Sequence, residues 1–165
     1  MKIRILNGHD SAAYRSIRLE GLKTTPEAFG SSYEEELLYP IDLFKARLDA
    51  EHTFTFGSFD GDALTGVVTL VPETKAKLKH KASIFAMYVS PPYRGKGIGR
   101  QLMSAAIARA GQLEDTEQLQ LSVVSSNQSA RHLYASLGFS IYGYEKRALK
   151  ANGTYFDEEH MVLFL

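Results

Sequence analysis

The stretch Arg94-Gly95-Lys96-Gly97-Ile98-Gly99-Arg100 sets three glycines among three basic side chains. An apolar run, Ile84-Phe85-Ala86-Met87-Tyr88-Val89, leads into it through Ser90-Pro91-Pro92-Tyr93, and a helical pattern leads out. Glycine adopts backbone conformations closed to other residues and lets a ligand come close. The first turn of a helix carries unpaired N–H groups and the positive end of the dipole, so it attracts phosphate. The segment therefore reads as a phosphate cradle with built-in cations. Two common nucleotide loops do not fit. The pattern G-x-G-x-x-G begun at Gly95 meets Arg100 where its third glycine should stand, and G-x-x-x-x-G-K-[ST] occurs nowhere. What remains is Arg-x-x-Gly-x-Gly, met by Arg94, Gly97 and Gly99 on a strand–turn–helix.

The elements that must position this loop can be read from hydrophobic period and punctuation. Lys2–Leu6 alternates and predicts a strand, and Asp10 is a candidate N-cap for a helix to about Leu22. Thr24–Glu27 breaks it, and Phe29–Glu36 is a loop or a short irregular helix. Pro40-Ile41-Asp42 opens a helix with Ile41, Phe44 and Leu48 on one face. Thr53–Phe59 and Ala63–Val71 form a hairpin through Asp60-Gly61-Asp62. Ala82–Val89 is nearly all apolar, as expected of a central strand buried on both faces. A helix from Gly97 to about Leu113 carries Ile98, Leu102, Ala106, Ala110 and Leu113 on one stripe. Gln118–Val124 is a strand, Asn127–Leu137 a helix ending at Gly138, and Phe139–Leu149 with Thr154–Leu165 a last strand pair joined through Ala151-Asn152-Gly153. Hairpins early and late, with strand–helix alternation between, predict an α/β mixed sheet with helices on both faces.

The 165 residues suit one domain, residues 1–165. Lys plus Arg and Asp plus Glu both number 19, a balance that disfavours nucleic acid as the main partner. There is no Cys, hence no disulfide, thiolate metal site or cysteine nucleophile, which agrees with a cytoplasmic setting. No 18-residue apolar run exists to span a membrane, and the start, Met1-Lys2-Ile3-Arg4-Ile5-Leu6, does not read as a signal peptide.

A second segment joins the first. Asn127-Gln128-Ser129-Ala130-Arg131-His132-Leu133-Tyr134-Ala135-Ser136-Leu137-Gly138-Phe139 has the pattern Asn-x-x-Ala-x-x-Leu-Tyr-x-x-Leu-Gly-Phe. In order and spacing the two segments resemble the acetyl-CoA pyrophosphate loop and the later motif of the GNAT family of N-acetyltransferases. The specific likeness covers about Ile84–Phe139. It implies a GNAT fold: a mixed, mostly antiparallel sheet of six to seven strands. It also implies transfer of an acetyl group from acetyl-CoA to a primary amine of a small molecule or peptide, by direct attack in a ternary complex. On that reading Gly95, Lys96, Gly97, Ile98, Gly99 and Arg100 hold the diphosphate with Arg94. Met87, Tyr88 and Val89 pair with the pantetheine arm, an N–H near Val89 polarises the carbonyl, Asn127 touches the cofactor, and Tyr134 protonates the departing thiolate.

Other readings stand beside these. By periodicity Tyr134 shares a stripe with Ala130, Leu133 and Leu137 and is a core aromatic. Asn127 suits a helix N-cap. The family's acceptor-side segments point to Phe29, Tyr33, Glu34 and Tyr155 as substrate contacts, and to Glu34, Glu35, Glu145 and Tyr155 for proton removal. Some members carry a glutamate on the central strand, which Ile84–Val89 lacks. Lys75, Lys77, Lys79 and Lys81 alternate along a segment expected to be extended and solvated, and Glu34–Glu36 and Asp157–Glu159 read as surface charge. Five scattered His residues give no metal-ligand pair, and Ser125 and Ser126 belong to no triad, so neither a metal nor a hydrolase site is expected. The alternative function is a non-catalytic acyl-CoA-binding sensor or regulatory module on the same fold. The chain is expected to be a monomer or homodimer.

Overall fold

A computed structural model describes all 165 residues. Its strands are β1 (Lys2–Ile5), β2 (Phe54–Asp60), β3 (Ala63–Pro72), β4 (Lys81–Val89), β5 (Gln118–Val124), β6 (Ser140–Ala151) and β7 (Thr154–Phe164). They form one sheet in the order β1-β2-β3-β4-β5-β7-β6, antiparallel everywhere except at the β4–β5 seam. The helices are α1 (Ser11–Thr24), α2 (Tyr33–Leu37), α3 (Ile41–Leu48), α4 (Ile98–Ala110) and α5 (Gln128–Ser136). Seven strands with helices on both faces agree with the fold expected from the sequence.

Each sheet face has its own core. On one, Ile98, Leu102, Met103 and Ala106 of α4 and Tyr134 of α5 pack on Val68, Leu70, Ile84, Leu121 and Met161. On the other, Tyr14, Ile17 and Leu22 of α1 and Phe44 and Leu48 of α3 pack on Phe59, Val67 and Tyr88. No residue of β5, β6 or β7 joins this second core. No α-helix covers that half of the sheet on the α1 side, and Phe85 at the neighbouring edge of β4 and Tyr142 on β6 stand 56% and 55% exposed.

The central strand departs from the expectation of burial on both faces. Ala86 has φ 53, and Tyr88 pairs with Val67 while Phe85 pairs with Thr69, so β4 carries one extra residue at this point. Such a bulge breaks the two-residue alternation. Before it, Ala82 and Ile84 face α4; after it, Tyr88 faces α1 and Met87 and Val89 face α4.

Local chemistry accounts for the other differences. Asp10 does not cap α1 with its side chain. Its carboxylate instead accepts from Arg4 at 2.7 and 2.8 Å and closes a capping box with Asn7 around a 3-10 turn at Gly8–Asp10. The ambiguous stretch before Pro40 contains a short helix, α2, started by a Ser32–Glu35 capping box. On α3, Phe44 and Leu48 are buried but Ile41 is 44% exposed, because the first turn of the helix overhangs the core. Helix α4 stops at Ala110, short of Leu113. The lysine segment is compact, with Leu78 and Lys79 N–H both donating to Lys75 O and Lys79 paired to Asp115, so its lysines do not form a ladder.

Candidate functional site

The β4–β5 seam holds for only three pairs, Lys81–Gln118, Ala82–Leu119 and Ser83–Gln120. Beyond them β5 stays with β7 as far as Val124–Glu158, and β4 stays with β3 as far as Val89–Gly66. The two strands diverge and open a groove of about 1450 Å³ through the sheet, walled by both strands, the glycine loop and the starts of α4 and α5. Ser90 N–H donates to Thr65 O on β3 at 2.9 Å. Peptide groups alternate along a strand, so Val89 turns its N–H and C=O to the other edge, into the opening. The Arg94 Nε donates to that carbonyl at 2.9 Å and ties the loop to the strand end.

The loop then enters α4 through two left-handed glycines, Gly95 at φ 75 and Gly97 at φ 76. A Cβ at either would meet nothing within 4 Å, so these glycines are required by backbone conformation and leave open space before them. Gly97 is the N-cap of a 13-residue helix and no side chain caps it. The first amides of α4 are therefore free to bind an anion beside Arg94. Arg100 is engaged elsewhere, donating to Ser136 Oγ of α5 at 2.6 Å. Lys96 stands off the groove wall with its ammonium 5.2 Å from the Tyr93 ring centre.

Asn127 and Tyr134 come to the same groove on α5. Asn127 Oδ1 accepts from Ala130 N–H at 3.1 Å, so it does cap the helix while lining the groove. Tyr134 is 6% exposed, with its ring edge-on to Phe139 at 6.1 Å. Burial pushes its phenol up to about 12. Tyr134 is thus both the core aromatic of the periodicity and a groove residue. Tyr88 also lines the groove, but alternation turns its peptide groups to Val67 on β3. Its ring packs at Phe29, and its hydroxyl donates to Glu20 Oε1 at 2.9 Å.

The acceptor-side candidates divide. Phe29 is on the groove wall, with the Arg18 guanidinium 4.7 Å from its ring centre. Tyr33, Glu34 and Tyr155 are not. Tyr33 lies beneath Lys23, Glu34 is exposed on the first turn of α2, and Tyr155 stacks with Arg147 and Lys150 on the β6–β7 hairpin. Glu35 is held by Ser32, and Glu145 pairs with His160. The carboxylates that do line the groove are Glu27 and Glu158. The sequence reading left Glu158 inside a run of surface charge. Strand alternation was the available signal: Glu159 turns to α5, where it accepts from Arg131 Nε at 2.7 Å, so Glu158 must face the other way. Beside it, Ser122 Oγ lies 2.7 Å from His160 Nδ1, and His160 Nε2 lies 3.0 Å from Glu145 Oε2. Their sequence separations, 38 and 15 residues, hid this set.

The family model of the acetyltransferase (GNAT) family matches residues 19–139. The chain belongs to that family. A spermidine N(1)-acetyltransferase of Vibrio cholerae is 28% identical over 102 residues, which is 62% of this chain and 59% of that protein. The corresponding Escherichia coli K12 enzyme is 31% identical over 52% of this chain and 46% of its own length. The chain thus spans about half the length of these curated relatives. Among solved structures, a probable acetyltransferase from Staphylococcus epidermidis superposes with a TM-score of 0.81 at 26% identity, covering 99% of this chain and 98% of that one. A putative acetyltransferase from Salmonella typhimurium, solved with acetyl-CoA, superposes at 0.82 with 22% identity over 100% and 94%. No helix of the protein is long and apolar enough to cross a membrane.

Proposed function

We propose that the protein transfers the acetyl group of acetyl-CoA to a primary amine of a small molecule or peptide, by direct attack with both substrates in the groove. The observation that carries this reading is the continuity of one opening. It runs from the parted β4–β5 edge to an uncapped, glycine-built helix N-terminus, with Tyr134 on its wall. The family's spermidine acetyltransferases act on an amine of this kind.

Acetyl-CoA supplies a thioester, an acyl group ready for attack by nitrogen. The amides from Gly95 to Arg100 and the Arg94 guanidinium hold the diphosphate. The open edge of β4 at Met87–Val89 orients the pantetheine arm, and Asn127 steadies it from α5. Val89 N–H donates to the thioester oxygen as charge gathers there. Tyr134 donates a hydrogen bond to the sulfur. A thiol near 8.5 lies about 3.5 pKa units below the Tyr134 value, so outright proton transfer would be uphill by about 5 kcal/mol. Tyr134 therefore acts by hydrogen bonding to the leaving sulfur and relaying a proton to it.

Calorimetry with CoA and acetyl-CoA tests the first half, with micromolar or tighter binding expected. A free-thiol assay across polyamines, amino acids, aminoglycosides and short peptides tests the second. Absence of CoA binding by the folded protein would overturn the proposal.

A further inference from the structure

This inference rests on the acetyl-transfer reading and concerns the face of β5, β7 and β6 that no α-helix covers. Alternation places Ser122, Glu158, His160 and Glu145 on that face, while Leu121, Val123 and Met161 go to the α4 core. The ladder sets Ser122 opposite His160, and Glu158 opposite both Val124 and Glu145. Ser122 Oγ and His160 Nδ1, and His160 Nε2 and the Glu145 carboxylate, lie within hydrogen-bond distance, so the three side chains form one connected set. Glu158 and Ser122 line the groove itself. Burial raises the Glu158 carboxyl and the charge of Glu145 raises it further, while His160 and the Ser122 hydroxyl pull it down. The 3-10 turn Pro26–Ala28 packs against β5 and β6 and brings Glu27 to the same groove. Arg18 and Arg47, the cations on this wall, are already bonded to Glu36. Phe85, Tyr142 and Leu149 add apolar surface.

We propose that Glu158, which lies beside the Ser122–His160–Glu145 set on the groove wall, receives the acceptor's ammonium group and takes its proton, and that the acceptor is a diamine or polyamine. An alkyl ammonium near 10.4 is almost wholly protonated at neutral pH and must shed a proton before it can attack. A half-buried carboxylate on the groove wall is the group to take it. A second ammonium is neutralised by Glu27, and the methylene chain lies on Phe85 and Tyr142. An amino acid would set its own carboxylate against Glu27 and Glu158. The step balances. The first proton passes from R–NH3+ to Glu158 and then to solvent. The freed nitrogen pair forms the C–N bond as the C–S bond breaks. Sulfur keeps the bonding pair, and the second nitrogen proton reaches it through the Tyr134 hydroxyl and solvent.

1,5-Diaminopentane and lysine share a skeleton and differ by one carboxylate. In calorimetry on protein saturated with CoA, the diamine is expected to bind at least about 10-fold tighter than lysine. Glu158→Gln is expected to lose at least about 10-fold in diamine affinity and nothing in CoA affinity. In acetyl transfer to the diamine, Glu158→Gln lowers kcat by about 10²-fold at pH 7 and recovers as pH nears 10, where the amine deprotonates itself. Glu158→Asp keeps an intermediate rate, and His160→Gln shifts the acidic limb of kcat with the KM for acetyl-CoA unchanged. Equal binding of lysine and diamine, or an unchanged kcat and acidic limb in Glu158→Gln, would overturn this inference and leave acetyl transfer standing. A wild-type protein that binds no CoA would overturn both.

Discussion

At residue scale, the Tyr134 hydroxyl keeps its proton through the neutral and mildly alkaline range, because its raised value is caused by burial alone. Tyr134→Phe should lower kcat by about 10²-fold and leave the KM for acetyl-CoA within a small factor. Loss of the alkaline rate below about pH 11 should not be traceable to this phenol, so the mutant's profile above neutrality should keep the wild-type shape. The linkage has a definite sign. The folded value lies above the unfolded value near 10, so the contribution to stability is complete below pH 10 and is lost as pH climbs toward 12. This residue was legible twice over, as a helix-stripe aromatic and as a match to a family position. Glu158 was not: strand alternation separates it from Glu159, but which of the two faces the groove depends on how β7 seats, and that shows only in the pairing of Glu159 with Arg131. Tyr33, Glu34 and Tyr155 lie off the groove for a related reason: their segments flank it, but their backbones aim the side chains elsewhere.

At the scale of elements, two local structures can be tested. Gly97→Ala introduces no clash, so its penalty is the left-handed backbone, about 1–2 kcal/mol. Urea denaturation should give that loss, and calorimetry should show weakened CoA binding as the loop relaxes. Glu36 is fully buried and joins α1, α2 and α3, with Arg18 at 2.9 and 3.0 Å and Arg47 at 3.4 Å. Burial alone would raise its carboxyl, but the Arg18 hydrogen bonds and the two positive charges outweigh burial and hold it low. Glu36→Ala strands a largely buried guanidinium and should cost about 3–5 kcal/mol in urea denaturation. In wild type the same pair stabilises above about pH 4 and fails as pH falls through the depressed value of Glu36. Most elements could be read because apolar period and turn residues agree, as at Asn152-Gly153, where both φ values are positive and suit a two-residue hairpin turn. The β4 bulge could not be read. Ala86 carries no glycine signal, and an unbroken apolar run conceals a change of face.

For the whole molecule, the groove divides the sheet into β1–β4 and β5–β7, joined by a three-pair seam and by the apolar core shared on the α4–α5 face. A ligand seated between them stabilises the folded state by about 2.7 kcal/mol at 100 times its Kd. For a chain of this size that corresponds to a Tm rise of about 5–10 °C, measurable by calorimetric scanning with CoA. Adenosine, which lacks the diphosphate and the arm, should give little of it.

The short seam also has a consequence for time. Amide deuteration of Met87–Val89 on one bank and Val123–Val124 on the other should be rapid in the free protein only for the N–H groups that face the gap. Occupancy should slow those on β4, leaving the flanking ladders as they were. The molecule would then register its own loading as a change in the rhythm of two facing strand edges, visible before any product is made.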